Sequence, residues 1–130
     1  MTLLLDTHVL LWALMAPQRL SPGLRAALTQ PETRVQFSAA SVWEIAIKRA
    51  LGRPDFAFEP GTVAQAALDT DFEPLPVRHE HAARVRHLPP LHADPFDRLL
   101  LALCRFVLNA TALSDGRGGA ERVSGQVLQA

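Results

Sequence analysis

The sequence predicts an α/β domain in which a mostly parallel sheet is covered by helices on both faces. Residues 2–5, 34–37 and 110–113 are short runs rich in apolar side chains, with the length of buried strands. Helical segments separate these runs, and this alternation is typical of parallel sheets. A chain of 130 residues has the size of one domain, so we expect residues 1–130 to fold as a single unit.

Capping residues and helix breakers delimit the predicted helices. Ser21 stands before a proline and predicts a helix through residue 28, because serine caps helices and proline favours their first turn. Either Ser38 or Ser41 caps a helix that reaches residue 51. Asp94, also before a proline, opens the longest predicted helix, through residue 108. The other predictions are helices over residues 8–15, 62–68 and 78–88, an extended segment over 72–77 and an edge strand over 126–128.

Composition and charge exclude several classes of protein. With 48% apolar and 20% charged residues, the chain is neither disordered nor collagen-like. Thirteen basic residues balance thirteen acidic ones, so no overall field attracts polyanions and any contact with nucleic acid must be local. Cys104 is the only cysteine, which excludes an internal disulfide and fits a reducing compartment. No signal peptide and no apolar stretch of about 18 residues is present, so we expect a cytoplasmic protein without a membrane span.

Acidic side chains follow the predicted strands at the edge of the sheet where α/β proteins usually carry their chemistry. Asp6 comes directly after the first strand, and Asp115 follows the strand at residues 110–113. Glu44 lies one or two turns into the helix that the second strand enters, and Asp97 lies in the first turn of the helix opened by Asp94. We therefore expect these carboxylates to converge on one end of the sheet.

Helix capping is the alternative explanation for each acid, because carboxylates stabilise helix N-termini. Asp94 stands at the expected N-cap position, and Asp97 would complete a capping box with it. Glu44 would do the same if Ser41 were the cap, but this account fails if the helix starts earlier. Asp6 has the weakest structural alternative, a cap on the first helix.

Clustered carboxylates require a cation. Two of them 4 Å apart repel by about 4 kcal/mol at an effective dielectric constant near 20, so several must share protons or bind a metal ion. A site made of oxygen ligands alone favours Mg²⁺ or Mn²⁺ over Zn²⁺. A metal ion held there would lower the pKa of a bound water and neutralise charge developing on a phosphate.

We expect the aromatic and histidine side chains discussed next to have structural rather than catalytic roles. Trp12, Trp43 and Phe96 fall among helical apolar neighbours, so we expect them in the core. His79 and His81 are two positions apart, which directs them to different faces of a helix, and we expect both at the surface.

Three segments resemble the PIN domain, and specifically the VapC-type toxins of toxin–antitoxin pairs. They are LLDTHVLLW at residues 4–12, SAASVWEIAIK at residues 38–48 and HADPFDRLL at residues 92–100. The resemblance runs from the first strand to Asp115 and covers most of the chain. The chain departs from the family around Asp115. Ser114 stands where a threonine usually precedes this acid, and a glycine-rich segment at 116–119 replaces the helix expected after it.

The resemblance implies a three-layer α/β/α fold and an endoribonuclease toxin that depends on Mg²⁺ or Mn²⁺. It also implies a homodimer and a cognate antitoxin protein as partners, with RNA as the substrate. The catalytic and metal-binding residues would be Asp6, Glu44, Asp97 and Asp115. Asp94, Thr7 and Ser38 would support them, and Lys48 and Arg98 would contact RNA phosphates.

Two other functions remain open on the sequence alone. A phosphohydrolase with an aspartyl nucleophile would use Asp6, but it requires a second acid two residues later, where this chain has His8. A PIN-like module that binds proteins without catalysis is the second alternative. The four retained acids argue against it, whereas the altered segment after Asp115 argues for it.

Overall fold

The computed structural model describes residues 2–89, 94–104, 111–114 and 127–129. Within this part of the chain, five strands form one sheet and six α-helices pack beside it. The strands are β1 (Thr2–Leu5), β2 (Arg34–Ser38), β3 (Glu73–Leu75), β4 (Thr111–Ser114) and β5 (Val127–Gln129). The α-helices are α1 (Thr7–Met15), α2 (Pro22–Thr29), α3 (Ala39–Ala50), α4 (Pro60–Asp69), α5 (His79–Arg84) and α6 (Pro95–Leu103). Two 3₁₀ turns cover Pro17–Arg19 and Val85–His87.

The described strands are all parallel and stand in the order β3-β2-β1-β4-β5. Leu5 of β1 pairs with Phe37 of β2 on one side and with Leu113 of β4 on the other. The three central strands therefore end at the same edge of the sheet. This topology confirms the predicted α/β fold, and the predicted edge strand over residues 126–128 is β5.

Side chains alternate along a strand, so the residues of β1 point to both faces of the sheet, and they are buried on each face. Leu3 and Leu5 pack into one cluster with residues of α1, α2, α3 and α4, including Leu10, Leu24 and Ile45. Leu4 packs on the opposite face against residues of α6, Leu100 and Leu103, and against Cys104. Helices thus cover the sheet on two sides, as a three-layer α/β/α fold requires.

The helix boundaries follow the predicted capping residues closely. Ser38 is the N-cap of α3 and accepts a hydrogen bond from the backbone N–H of Ala40, so the helix begins at the earlier of the two predicted caps. The predicted helix over residues 78–88 is divided into α5 and the 3₁₀ turn that follows it. The described part of α6 ends at Leu103, and residues 105–108 of the predicted longest helix lie outside the described residues. No helix among the described residues is long and apolar enough to cross a membrane.

Trp43 is not in the core, and the prediction for this residue was wrong. It is 59% exposed, because α3 directs a different set of side chains to the interior. The buried residues of α3, two of them polar, are Ala40, Ser41, Glu44 and Ile45. Trp12 and Phe96 are half-buried. A buried stripe that contains Glu44 leaves the tryptophan beside it facing outward.

His81 also differs from its prediction, whereas His79 confirms it. The ring of His79 is almost fully exposed, but His81 is buried. The Nδ1 atom of His81 accepts a hydrogen bond from the backbone N–H of Arg78, at the start of α5. Arg78 is the N-cap residue and His81 is the third residue of the helix, so the histidine occupies the place that glutamate or glutamine takes in a capping box.

The position of Cys104 allows a test of the packing on the second face of the sheet. Burial raises the pKa of its thiol to about 12, so the residue stays protonated near neutral pH. Because the thiolate is the reactive form, we expect a disulfide reagent such as DTNB to label the native protein at pH 8 only as fast as the chain unfolds. Guanidinium chloride should release one reactive thiol per chain at once. Rapid labelling in native buffer would contradict this packing.

Candidate functional site

Asp6, the first of the predicted site residues, lies directly after β1. It is 9% exposed and is the N-cap of α1, where its Oδ1 atom accepts a hydrogen bond from the backbone N–H of Val9 at 2.9 Å. The cap uses one of the two carboxylate oxygens. The structural alternative for Asp6, a cap on the first helix, is therefore observed, and the cap fixes the carboxylate at the edge where the central strands end.

Glu44 lies on α3 and is 7% exposed. Both of its carboxylate oxygens contact neighbouring side chains. Thr7, the first residue of α1, donates its hydroxyl hydrogen to Oε1 at an oxygen–oxygen distance of 2.5 Å. The Nζ atom of Lys48 lies 2.8 Å from Oε2, one helical turn along α3. Because α3 starts at residue 39, Glu44 is too deep in the helix to cap it. Its burial is explained by this pair of contacts with Thr7 and Lys48.

The start of α6 carries two acids with different positions. Asp94 is the N-cap and accepts hydrogen bonds from the backbone N–H groups of Phe96 and Asp97, at 2.8 and 3.3 Å. This geometry confirms the predicted cap. Asp97 is half-buried in the first turn of the helix, where a carboxylate interacts favourably with the helix dipole.

Trp43 holds the start of α6 beside α3. Its ring meets the ring of Phe96 edge to face, with the centroids 5.3 Å apart. Phe96 is the residue before Asp97, so this contact helps to set where the acidic turn lies relative to Glu44. Trp43 and Phe96 lie in separate segments of the sequence, and their presence there did not indicate that the two rings pair.

Arg98, predicted to contact phosphates, forms hydrogen bonds with the backbone. Its guanidinium donates to the carbonyl oxygens of Val85 and Pro89, both at 3.1 Å. These bonds connect α6 to the 3₁₀ turn before it and orient the arginine. They are structural contacts that the sequence did not predict.

Asp115 lies outside the described residues. Its strand, β4, ends at Ser114 and runs parallel to β1, with Leu113 in register with Leu5. Asp6 follows Leu5, and Asp115 is the second residue after Leu113 in the sequence.

The donors fit a hard divalent ion in type, because every candidate ligand is a carboxylate oxygen. Within residues 2–89, 94–104, 111–114 and 127–129, however, no group of three His, Cys, Asp or Glu side chains is gathered closely enough to hold a metal ion. Of the four predicted ligands, Asp6, Glu44 and Asp97 are in this part of the chain. A complete site would therefore need these carboxylates to draw together or the contribution of Asp115.

Two of the predicted supporting residues have definite roles. Thr7 connects α1 to Glu44, and Ser38 is fully buried as the cap of α3. Lys48 was predicted to contact phosphate, and the structure adds its ion pair with Glu44. Their spacing of four residues on one helix is the sequence signal that could have indicated this pair.

Replacing Thr7 with valine tests whether the hydrogen bond from Thr7 to Glu44 stabilises the fold. The shape is nearly conserved, but one oxygen of a buried carboxylate loses its donor, so we expect a loss of about 1–3 kcal/mol in the free energy of unfolding. Urea denaturation would measure it. The matched control is Thr62→Val at an exposed position of α4, which should change stability by less than about 0.5 kcal/mol. Equal effects of the two substitutions would show that the Thr7 hydroxyl contributes nothing.

The cap on α6 gives a second stability test. Asparagine caps helices nearly as well as aspartate, so Asp94→Asn should leave the free energy of unfolding almost unchanged. Asp94→Ala removes the acceptor for two N–H groups and should cost about 0.5–2 kcal/mol. A large loss in the asparagine variant would indicate that the charge, rather than the cap, stabilises this helix.

Comparison with known families agrees with the parallel sheet. A family model for the PIN domain matches residues 3–124. Comparison with curated proteins gave no match. PIN domains have a nuclease-type fold and generally depend on divalent metal ions. The match spans nearly the whole chain, which therefore belongs to the PIN domain family.

Proposed function

We propose that this protein is a metal-dependent endoribonuclease, and that it acts as the toxin of a toxin–antitoxin pair of the VapC type. The observation that carries the proposal is the buried carboxylate pair Asp6 and Glu44. They are connected through Thr7, which follows Asp6 in the chain and donates a hydrogen bond to Glu44. Burying two acids is costly, and a domain retains such groups mainly where they serve chemistry.

The site residues in this proposal are Asp6, Glu44, Asp97 and Asp115, with Mg²⁺ or Mn²⁺ as the cofactor. When bound, the ion would activate water and stabilise charge on the phosphate. The protein fixes the direction of its ligands: the α1 cap holds Asp6, while Thr7 and Lys48 hold Glu44. Asp97 approaches from the first turn of α6, which the contact between Trp43 and Phe96 seats against α3.

Lys48 gives the site a positive charge beside its carboxylates. Its Nζ atom lies 2.8 Å from Glu44, and the residue is less than one-third exposed. A cation in this position offers an attractive contact to an RNA phosphate that approaches the carboxylates. Arg98 would add a second phosphate contact from α6, oriented by its bonds to the backbone.

Partner proteins are proposed from the surface around Trp43. This exposed ring borders an apolar groove of about 670 Å³ between α3, α4 and the residues around β3, which Leu68 and Pro76 also line. Exposed apolar surface of this kind is typical of protein interfaces. A homodimer contact or a cognate antitoxin would cover it. A toxin that acts on cellular RNA would work in the cytoplasm.

A PIN-like binding module without catalysis is the second candidate. One observation favours it: the described residues bring no three acidic, histidine or cysteine side chains together as metal ligands. The two candidates differ in one measurable property, the metal-dependent hydrolysis of RNA.

The test is cleavage of single-stranded and hairpin RNA by the purified protein with Mg²⁺, Mn²⁺ or EDTA. We expect cleavage with either metal ion, none with EDTA, and a fall to background in Asp97→Asn, because the neutral amide weakens binding of a hard cation. Asp94→Asn is the matched control, since the same chemical change three residues away preserves the cap and should retain most of the activity.

The two variants must be prepared identically so that contaminating nucleases affect both. Cleavage that persists unchanged in Asp97→Asn would contradict the assigned role of Asp97. No cleavage by the unmodified protein on either RNA, together with no Mn²⁺ binding by calorimetry, would favour the binding module.

A further inference from the structure

A second cavity, of about 320 Å³, opens beside the acidic site between α1 and the segment that joins α3 to α4. This volume is in the range of small-ligand pockets. All of its lining residues belong to the described part of the chain. Its lining combines aromatic rings with cationic side chains, and the residues used below are Trp12, Phe56, Phe58, Arg19, Lys48 and Arg53.

The aromatic residues form a surface on which a flat ring can stack. Trp12 comes from α1, and Phe56 and Phe58 come from the segment opposite. The two phenylalanine rings meet edge to face with centroids 5.2 Å apart, so each supports the orientation of the other. Unpaired nucleobases bind proteins by stacking on rings of this kind or on arginine guanidinium groups.

The cationic residues surround the same rings. The guanidinium carbon of Arg19 lies 5.0 Å from the centre of the Trp12 ring, and the Nζ atom of Lys48 lies 5.8 Å from the centre of the Phe56 ring. Arg53 lines the cavity as well, and Asp55 is its one acidic lining residue. Three cations against one carboxylate give the cavity a positive balance, which suits a phosphate.

Lys48 connects the cavity to the acidic site. The same Nζ atom that lies over Phe56 is 2.8 Å from Glu44. His8, another lining residue, directly follows the Thr7 that bonds Glu44. A chain of nucleotides with one phosphate at the carboxylates would therefore have a neighbouring nucleotide within reach of the cavity.

We propose that this cavity binds one unstacked nucleotide of the RNA substrate, with its base against the aromatic rings and its phosphate near Arg19 and Arg53. This inference rests on the proposed function, because it assigns a subsite to the same substrate. It makes the rings of Trp12, Phe56 and Phe58 determinants of which RNA positions are cut. A peptide is the competing occupant, but a positive cavity that shares Lys48 with the proposed nuclease site favours the nucleotide.

The experiment uses Trp12 as its own reporter. The chain has two tryptophans, so Trp43→Phe leaves Trp12 alone and keeps an aromatic ring against Phe96. A single-stranded RNA hexamer of mixed sequence is titrated in EDTA, where binding is measured without cleavage. We expect the hexamer to quench Trp12 emission. An abasic strand of the same length and charge should bind about 5- to 150-fold more weakly, because it loses one stacking contact worth about 1–3 kcal/mol.

Single substitutions then test the cations. Arg19→Gln and Arg53→Gln should each weaken hexamer binding and reduce the slope of log affinity against log salt by about 0.7. The matched control is Arg25→Gln, which removes the same charge from an exposed position of α2 that does not line the cavity. Circular dichroism of each variant verifies that it is folded.

Three results would overturn the proposal: unchanged Trp12 emission with the hexamer, equal quenching by the abasic strand, or an equal loss of affinity in Arg25→Gln. Quenching by an Asp-Phe-Asp peptide but not by the hexamer would also overturn it and identify a peptide site. Because binding is read in EDTA, a failure of the cleavage assay leaves this result interpretable. Cleavage without quenching would retain the nuclease and reject the subsite.

Discussion

The domain depends on the four residues of β1. This strand pairs with a parallel neighbour on each side, and Leu3, Leu4 and Leu5 are each buried almost completely, in two clusters on opposite faces. Burial of each such side chain contributes about 1.5–3 kcal/mol, and the strand has no solvent-facing side that could absorb a shift in register. The position of Asp6 is set by this constraint, since it is the residue at which the strand ends and α1 begins.

The acidic site shows how buried carboxylates are accommodated. Asp6 receives a backbone N–H from α1, and Glu44 receives a hydroxyl from α1 and an ammonium from its own helix. These partners offset part of the desolvation cost that a buried charge carries. They also join α1 and α3 through polar contacts at the end of the sheet, beneath which the two helices pack through apolar side chains such as Leu10 and Ile45.

Local signals in the sequence were sufficient for most of the fold. Strand lengths, proline positions and the caps at Ser21, Ser38 and Asp94 are properties of short segments, and the structure follows them. The sequence could not indicate contacts between distant segments. Trp43 was expected in the core because it is large and apolar, but its outward position follows from the burial of Glu44 on the adjacent face of α3.

The same limit applies to the candidate site. The order of strands and helices predicts one edge for the four acids, and the pairing of β1 with β4 brings the strand before Asp115 to the edge where Asp6 lies. The bond from Thr7 to Glu44 spans 37 positions, and the contact of Trp43 with Phe96 spans more than fifty. Such distances are set by tertiary packing. The polar contact of His81 was missed for another reason, since a capping box usually has glutamate or glutamine at this third helical position rather than histidine.

The pairing of β1 with β4 has a consequence for the order in which the protein matures. Leu3 pairs with Thr111, more than a hundred positions later in the sequence. During synthesis, one edge of β1 therefore stays open until residues 111–113 have left the ribosome, and contacts of such long range also slow folding. The end of β1 gains its second neighbour last. The acidic edge of the sheet is thus completed late in folding, after the helices that carry Glu44 and Asp97 have been made.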